Sequence, residues 1–103
     1  MLELNSKNIS YIELMKYDEN TMTTIKDNVK VKKIVSSLNR ISGESYEKEV
    51  EDSENLDFIN IYDKSFKKLE IAKDGTYLKV NGIGYKINNK SSDRFEEVFK
   101  KYN

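Results

Sequence analysis

The chain has 103 residues, 37% hydrophobic and 35% charged, and its 18 Lys plus Arg balance 18 Asp plus Glu for a formal net charge of zero. That length suits one domain with a single modest core, and the balance argues against a dedicated nucleic-acid binder, whose footprint is a concentrated basic excess. The absence of His and Cys excludes Ser–His–Asp and Cys–His catalysis, His-ligated zinc, disulfides and iron–sulfur sites.

No apolar run approaches the roughly 18 residues that a membrane span needs, and MLELNSKNIS has no basic-then-apolar leader pattern. The expectation is a cytoplasmic protein, or one whose precursor carries an export signal ahead of residue 1. Residues 1–8 are polar and read as a flexible N-terminus before a single α+β domain over 9–103.

The first strand is expected over 9–17, with Ile12 and Leu14 on one face and Ile9, Tyr11 and Met15 on the other. Asp18-Glu19-Asn20 turns the chain into a β-branched return strand over 21–25. Asp27 or Asn28 then caps a helix whose Val31, Ile34, Val35, Leu38 and Ile41 form one apolar stripe. Ser42-Gly43 is expected to end it, with Gly43 in the left-handed cap position.

Segment 44–55 holds Glu44, Glu47, Glu49, Glu51, Asp52 and Glu54 without a sustained period, so it reads as a loop. Such a run attracts the thought of a Ca²⁺ site. Its spacing does not match an EF-hand loop, and a solvated acidic loop is the favoured reading.

A four-strand meander follows, over 56–62, 66–72, 76–80 and 83–87. Its clearest turns are Lys73-Asp74-Gly75 and Asn81-Gly82, because Gly, Asn and Asp tolerate the positive φ of tight hairpins. Ser91-Ser92-Asp93 is expected to cap the last helix, with Asp93 and Glu96 at capping-box spacing and Phe95, Val98, Phe99 and Tyr102 as its apolar stripe. The order β-β-α-β-β-β-β-α gives an α+β fold. It has an antiparallel meander sheet of about five or six strands covered by two helices.

Catalytic candidates are few. Asp57 and Asp63 are the pair that a carboxylate-dependent hydrolase would draw on, but they lie at the two ends of one short strand. The reading is therefore non-enzymatic, with no catalytic, cofactor or metal site. Asn81-Gly82-Ile83-Gly84 lacks the length of a phosphate loop and reads as a hairpin.

Seven Tyr and four Phe on a polar domain are the best pointer to a binding surface, since Tyr gives amphipathic contact at low entropic cost. Tyr11, Tyr62, Tyr77 and Tyr85, with Lys67 and Lys79, form the candidate interaction surface. The plainer alternative is that the tyrosines fill the core edge while the lysines guard sheet edges.

Several motifs recur in a familiar order: ISYIELMK and its return strand, Asp27-Asn28 opening a helix that closes on Ser36-Ser37-Leu38, and an acidic segment. An aromatic and Ile strand, Lys73-Asp74-Gly75, Tyr85-Lys86-Ile87 and Phe95-x-x-Val98-Phe99 complete the series. The whole, over 9–102, resembles a small domain of unknown function found in Gram-positive (Firmicute) surface lipoproteins. The resemblance implies an extracytoplasmic domain, membrane-anchored through a lipidated cysteine of the precursor, that binds an unknown protein or a cell-wall polymer. It supplies no catalytic residues. The alternative is a small cytoplasmic regulator or inhibitor that acts by protein contact through the acidic loop or an exposed strand edge.

Overall fold

A computed structural model describes residues 1–46 and 56–102. A short 3-10 turn (Ser6–Asn8) leads into β1 (Ile9–Lys16) and β2 (Thr21–Ile25), then α1 (Asn28–Asn39) and β3 (Gly43–Ser45). The meander β4 (Asp57–Asp63), β5 (Lys68–Asp74), β6 (Tyr77–Val80) and β7 (Ile83–Ile87) follows, and α2 (Asn89–Tyr102) closes the domain. The seven strands form one antiparallel sheet in the order β2-β1-β4-β5-β6-β7-β3. The fold is α+β, as the sequence indicates.

Local chemistry sets most of these boundaries. Asn81 and Gly82 take φ of 48° and 84°, and Gly75 takes 59°, which are the turn conformations their residue types permit. Asp27 caps α1 by accepting the Lys30 N–H at 2.9 Å.

Both helices lie on the same face of the sheet. Cross-strand rows Ile25–Ile12–Ile61–Leu69 and Leu14–Ile59–Ile71–Val80 point toward them. Val31, Ile34, Val35 and Leu38 of α1 and Phe95, Val98 and Phe99 of α2 close over those rows as one core. Burial of this apolar surface, at roughly 25 cal/mol per Å², is the main stabilising term.

Several details depart from the sequence reading, among them a seventh strand, β3, where five or six were expected, and Ile9, which a register shift before Tyr11 turns into the core instead of onto the face of Tyr11 and Met15. Gly43 does not cap α1, which ends at Asn39 with Arg40 in a right-handed cap. Instead Gly43 opens β3 opposite Ile87, where a Cβ would sit 2.8 Å from Ile87 Cγ2 and 2.9 Å from the Lys86 carbonyl oxygen. Gly43→Ala is therefore expected to cost about 1–2 kcal/mol. It should also speed amide exchange at Tyr46, whose N–H bonds the Gly84 carbonyl; unchanged exchange there would show that β7 gives way at no cost.

The N-terminus is tied down rather than loose: Leu2 is 7% exposed, and Leu4 exchanges two hydrogen bonds with the Asn39 side chain, at 2.8 and 2.9 Å. The cap of α2 is Asn88, whose Oδ1 accepts the Ser91 N–H at 2.8 Å, so Asp93 and Glu96 lie inside the helix. Phe66 stands in a turn at φ 65° and 91% exposed, and β5 begins only at Lys68.

Candidate binding face

Among the described residues, no element packs on the opposite face of the sheet. Alternation along each strand assigns its occupants. One row runs Met22–Met15–Phe58–Ala72–Lys79–Gly84 across six strands, and beside it runs the polar row Thr24–Glu13–Asn60–Glu70. Tyr11, Tyr62 and Lys68 form a third row.

The rings of Tyr11 and Tyr62 stack at 4.5 Å between centroids and 15° between planes. A hydrogen bond from the Tyr62 hydroxyl to the Glu13 carboxylate holds the phenol protonated and pushes its pKa above the ordinary value.

At the β1–β2 end, Met15, Tyr17 and Met22 are 39, 52 and 62% exposed. With Phe58, Leu56 and Lys16 they line a cleft of about 190 Å³. Between the aromatic rows, Asn60 is buried; its Nδ2 lies 3.8 Å from Met15 Sδ, and among the described residues its Oδ1 has no hydrogen-bond partner. An unpaired buried acceptor costs about 1–3 kcal/mol, so this face is not optimised for stability at its centre.

The sequence-derived surface is brought together only in part. Tyr11, Tyr62, Tyr77 and Lys79 share the helix-free face. Tyr77 stands apart from the Tyr11–Tyr62 pair, opposite Asp74 and Lys86, with the Tyr46 ring 5.0 Å away. Tyr85 is on the other side: it shares the face of Leu78 and Ile87 and packs against the core. Lys67 lies in the turn before β5, where its N–H donates to Asp63 Oδ1 at 2.9 Å, and Lys68 occupies the position beside Tyr62.

Met15, Met22 and Phe58 were not among the sequence candidates. The signal for Phe58 was present, since it alternates in phase with Tyr62. The juxtaposition of Met22, Met15 and Phe58 depends on register, which no single strand encodes.

Asp57 and Asp63 stand at opposite ends of β4, roughly 20 Å apart at the usual strand rise, beyond the reach of an acid–base carboxylate pair. Each is engaged locally. Asp57 accepts the Tyr17 N–H at 3.1 Å and pairs with Lys16 at 3.5 Å, while Asp63 accepts the Ser65 N–H at 2.8 Å. Of the acidic run, Glu44 lies on β3 opposite Lys86. Glu47, Glu49, Glu51, Asp52 and Glu54 lie outside the described residues.

A second polar constellation sits on the helix side. Asp57 and Lys73 are cross-strand neighbours, Lys16 reaches Asp57 from β1, and Glu96 of α2 descends between the two lysines. Lys73 Nζ contacts Glu96 Oε1 at 2.9 Å, the Gly75 carbonyl at 3.0 Å and Ser92 Oγ at 3.0 Å. Lys16 Nζ lies 3.4 Å from Glu96 Oε2.

Burial alone would push the Glu96 carboxyl up, but the hydrogen bond and charge of Lys73, then those of Lys16, hold it below its ordinary value. Desolvation likewise pulls the Lys16 ammonium down, yet Asp57 and Glu96 carry it above 10.5. Every charge in the cluster is paired, so it clamps α2 to the sheet.

Comparisons with protein-family models, curated proteins and solved structures return no match.

Proposed function

We propose that this chain is a non-enzymatic binding module that meets its partner with the helix-free face of its sheet. The observation that carries this reading is the Met22–Met15–Phe58 row beside the stacked Tyr11–Tyr62 pair, apolar and aromatic surface on the side away from the helices. Stacked phenols beside the Glu13 carboxylate suit sugars and aliphatic chains alike. The resemblance to the surface-lipoprotein domain supports an extracytoplasmic setting, with a cell-wall polymer as the partner. Mass spectrometry of the native N-terminus tests the setting: a diacylated cysteine ahead of residue 1 supports it, and an unlipidated cytoplasmic chain ends it.

The face is tested by titrating ¹⁵N-labelled protein with purified wall teichoic acid and, separately, with soluble peptidoglycan fragments. Amide shifts are expected at Tyr11, Met15, Met22, Phe58 and Tyr62, with affinity falling about tenfold or more in Tyr62→Ala. Shifts confined to the helix side, or none with either polymer, end the wall-polymer form of the proposal.

The exposed thioethers of Met15 and Met22 favour a second reading, a regulator or inhibitor that acts by protein contact, because Met adapts to irregular partner surfaces. Under that reading the same amides shift with a protein partner and with neither polymer.

A further inference from the structure

The turn between β4 and β5 holds Phe66 where its residue type fits poorly. Its φ of 65° lies in the left-handed region that Gly and Asn favour and bulky side chains avoid. Its ring, 91% exposed, adds nothing to the core. The turn is nevertheless firmly built. The Asp63 carboxylate accepts the Ser65 N–H at 2.8 Å and the Lys67 N–H at 2.9 Å, and the Asp63 N–H donates to the Lys67 carbonyl at 3.0 Å. Phe66 is thus held outward at a conformational cost, with no gain in packing.

Cations surround it. Lys67 follows Phe66 and Lys64 precedes it by two residues, and Lys64 shares a concavity with Lys7 and Lys32. One end of the sheet gathers all four, since Ile9 pairs with Asp63 and the Lys64 N–H donates to the Asn8 carbonyl at 2.9 Å. Among the described residues none of these four lysines has an ion-pair partner. The neighbouring acids are engaged elsewhere. Asp63 is taken up by its own turn, Asp27 accepts the Lys30 N–H, and Glu70 pairs with Lys68 at 3.4 Å. In a chain of zero formal net charge this end is a local basic excess.

We infer that this end docks on an anionic phospholipid surface, with Phe66 inserted at headgroup level and Lys7, Lys32, Lys64 and Lys67 over the headgroup phosphates. An apolar tip ringed by lysines is the composition of interfacial membrane contacts. The core of a protein interface is depleted of lysine, and a nucleic-acid footprint is a larger basic excess. One ring and four cations make a weak contact, which orients a chain at a membrane rather than holding it there. The docking is independent of the helix-free face and of the setting proposed above.

The chain has no Trp, so Phe66→Trp supplies a single fluorescent reporter. Its emission is expected to shift blue on phosphatidylglycerol vesicles and to be quenched there by brominated acyl chains, and to stay unchanged on phosphatidylcholine vesicles. Co-sedimentation at about 1–10 mM lipid, the range for so small a contact, should show wild type bound to the anionic vesicles and released at high salt. Phe66→Asn should weaken binding about tenfold with no fall in melting temperature, because Asn tolerates the left-handed φ. Lys64→Glu/Lys67→Glu should weaken it by at least about tenfold.

No binding to phosphatidylglycerol vesicles overturns the inference. Equal binding to phosphatidylcholine does so too, as does binding indifferent to Phe66→Asn or to the double charge reversal. Unchanged Trp emission on vesicles that bind removes Phe66 as the inserted group and ends it as well. If glycerol phosphate in solution shifts the Lys7, Lys32 and Lys64 amides while vesicles do not bind, the concavity is a soluble-anion site and the membrane contact fails. Vesicle binding without polymer shifts at Met15, Met22 and Phe58 leaves the docking standing and ends the wall-polymer reading; polymer shifts without vesicle binding do the reverse.

Discussion

Replacing Phe95 by Ala lowers the unfolding free energy by about 3–5 kcal/mol, the range for emptying a buried aromatic site. Phe95 has 0% exposure, its ring lies 5.5 Å from that of Phe99, and the Lys73 ammonium stands 5.8 Å above it. The side chain therefore supports two things at once, the seat of α2 on the sheet and the environment of the buried lysine. Domains of this size have only about 5–15 kcal/mol in total, so the variant should be marginal at 37 °C. A urea titration checks this: the midpoint should fall while the slope stays, because the same surface is exposed on unfolding. Phe66→Ala, at a 91% exposed turn position, is the control and should shift stability by less than about 0.5 kcal/mol. Equal effects from the two would mean that α2 is not seated as described.

Glu96→Gln is the second large effect, about 2–3 kcal/mol at neutral pH. It removes the charge that Lys73 faces at 2.9 Å and Lys16 faces at 3.4 Å, and the Lys73 side chain is only 7% exposed. The loss should stay below the 3–5 kcal/mol of a wholly enclosed pair, because Glu96 keeps 29% exposure and Lys73 retains the Gly75 carbonyl and Ser92 hydroxyl.

The pH dependence has a definite sign. The Glu96 pKa is lower folded than unfolded, so its contribution is present above the ordinary carboxylate value and lost as pH falls through the folded one. The Lys16 pKa is raised, so its contribution is present below 10.5 and lost as pH rises through its folded value. Wild type should thus lose stability on acidification below about pH 4.5, and Glu96→Gln should lose less over the same interval. Parallel profiles would remove Glu96 as the cause. Lys73→Met/Glu96→Leu should recover most of the deficit, since replacing both partners leaves no buried charge unpaired.

Asn81-Gly82 and Asp74-Gly75 announced their hairpins because few residue types tolerate those φ values. The stripes Val31–Ile34–Val35–Leu38 and Phe95–Val98–Phe99–Tyr102 announced both helices and the faces they bury. β3 was illegible: Gly-Glu-Ser has no strand propensity, and it is extended only because β7 offers a ladder. Glu96 read as half of a capping box because the spacing fits; the lysines it meets come from strands 80 and 23 residues earlier. For Tyr85 the signal was there, since it alternates in phase with Ile83 and Ile87, and Ile87 is buried.

Turn chemistry and hydrophobic period act over a few neighbouring residues, so the α+β class, the meander and both amphipathic helices are legible along the chain. That β1 inserts beside β4, that β2 and β3 become the two edges, and which side chains meet on the helix-free face are not. Those outcomes depend on strand order and register. These are set by how distant strands bury their apolar faces together, and no local stretch of chain carries that information.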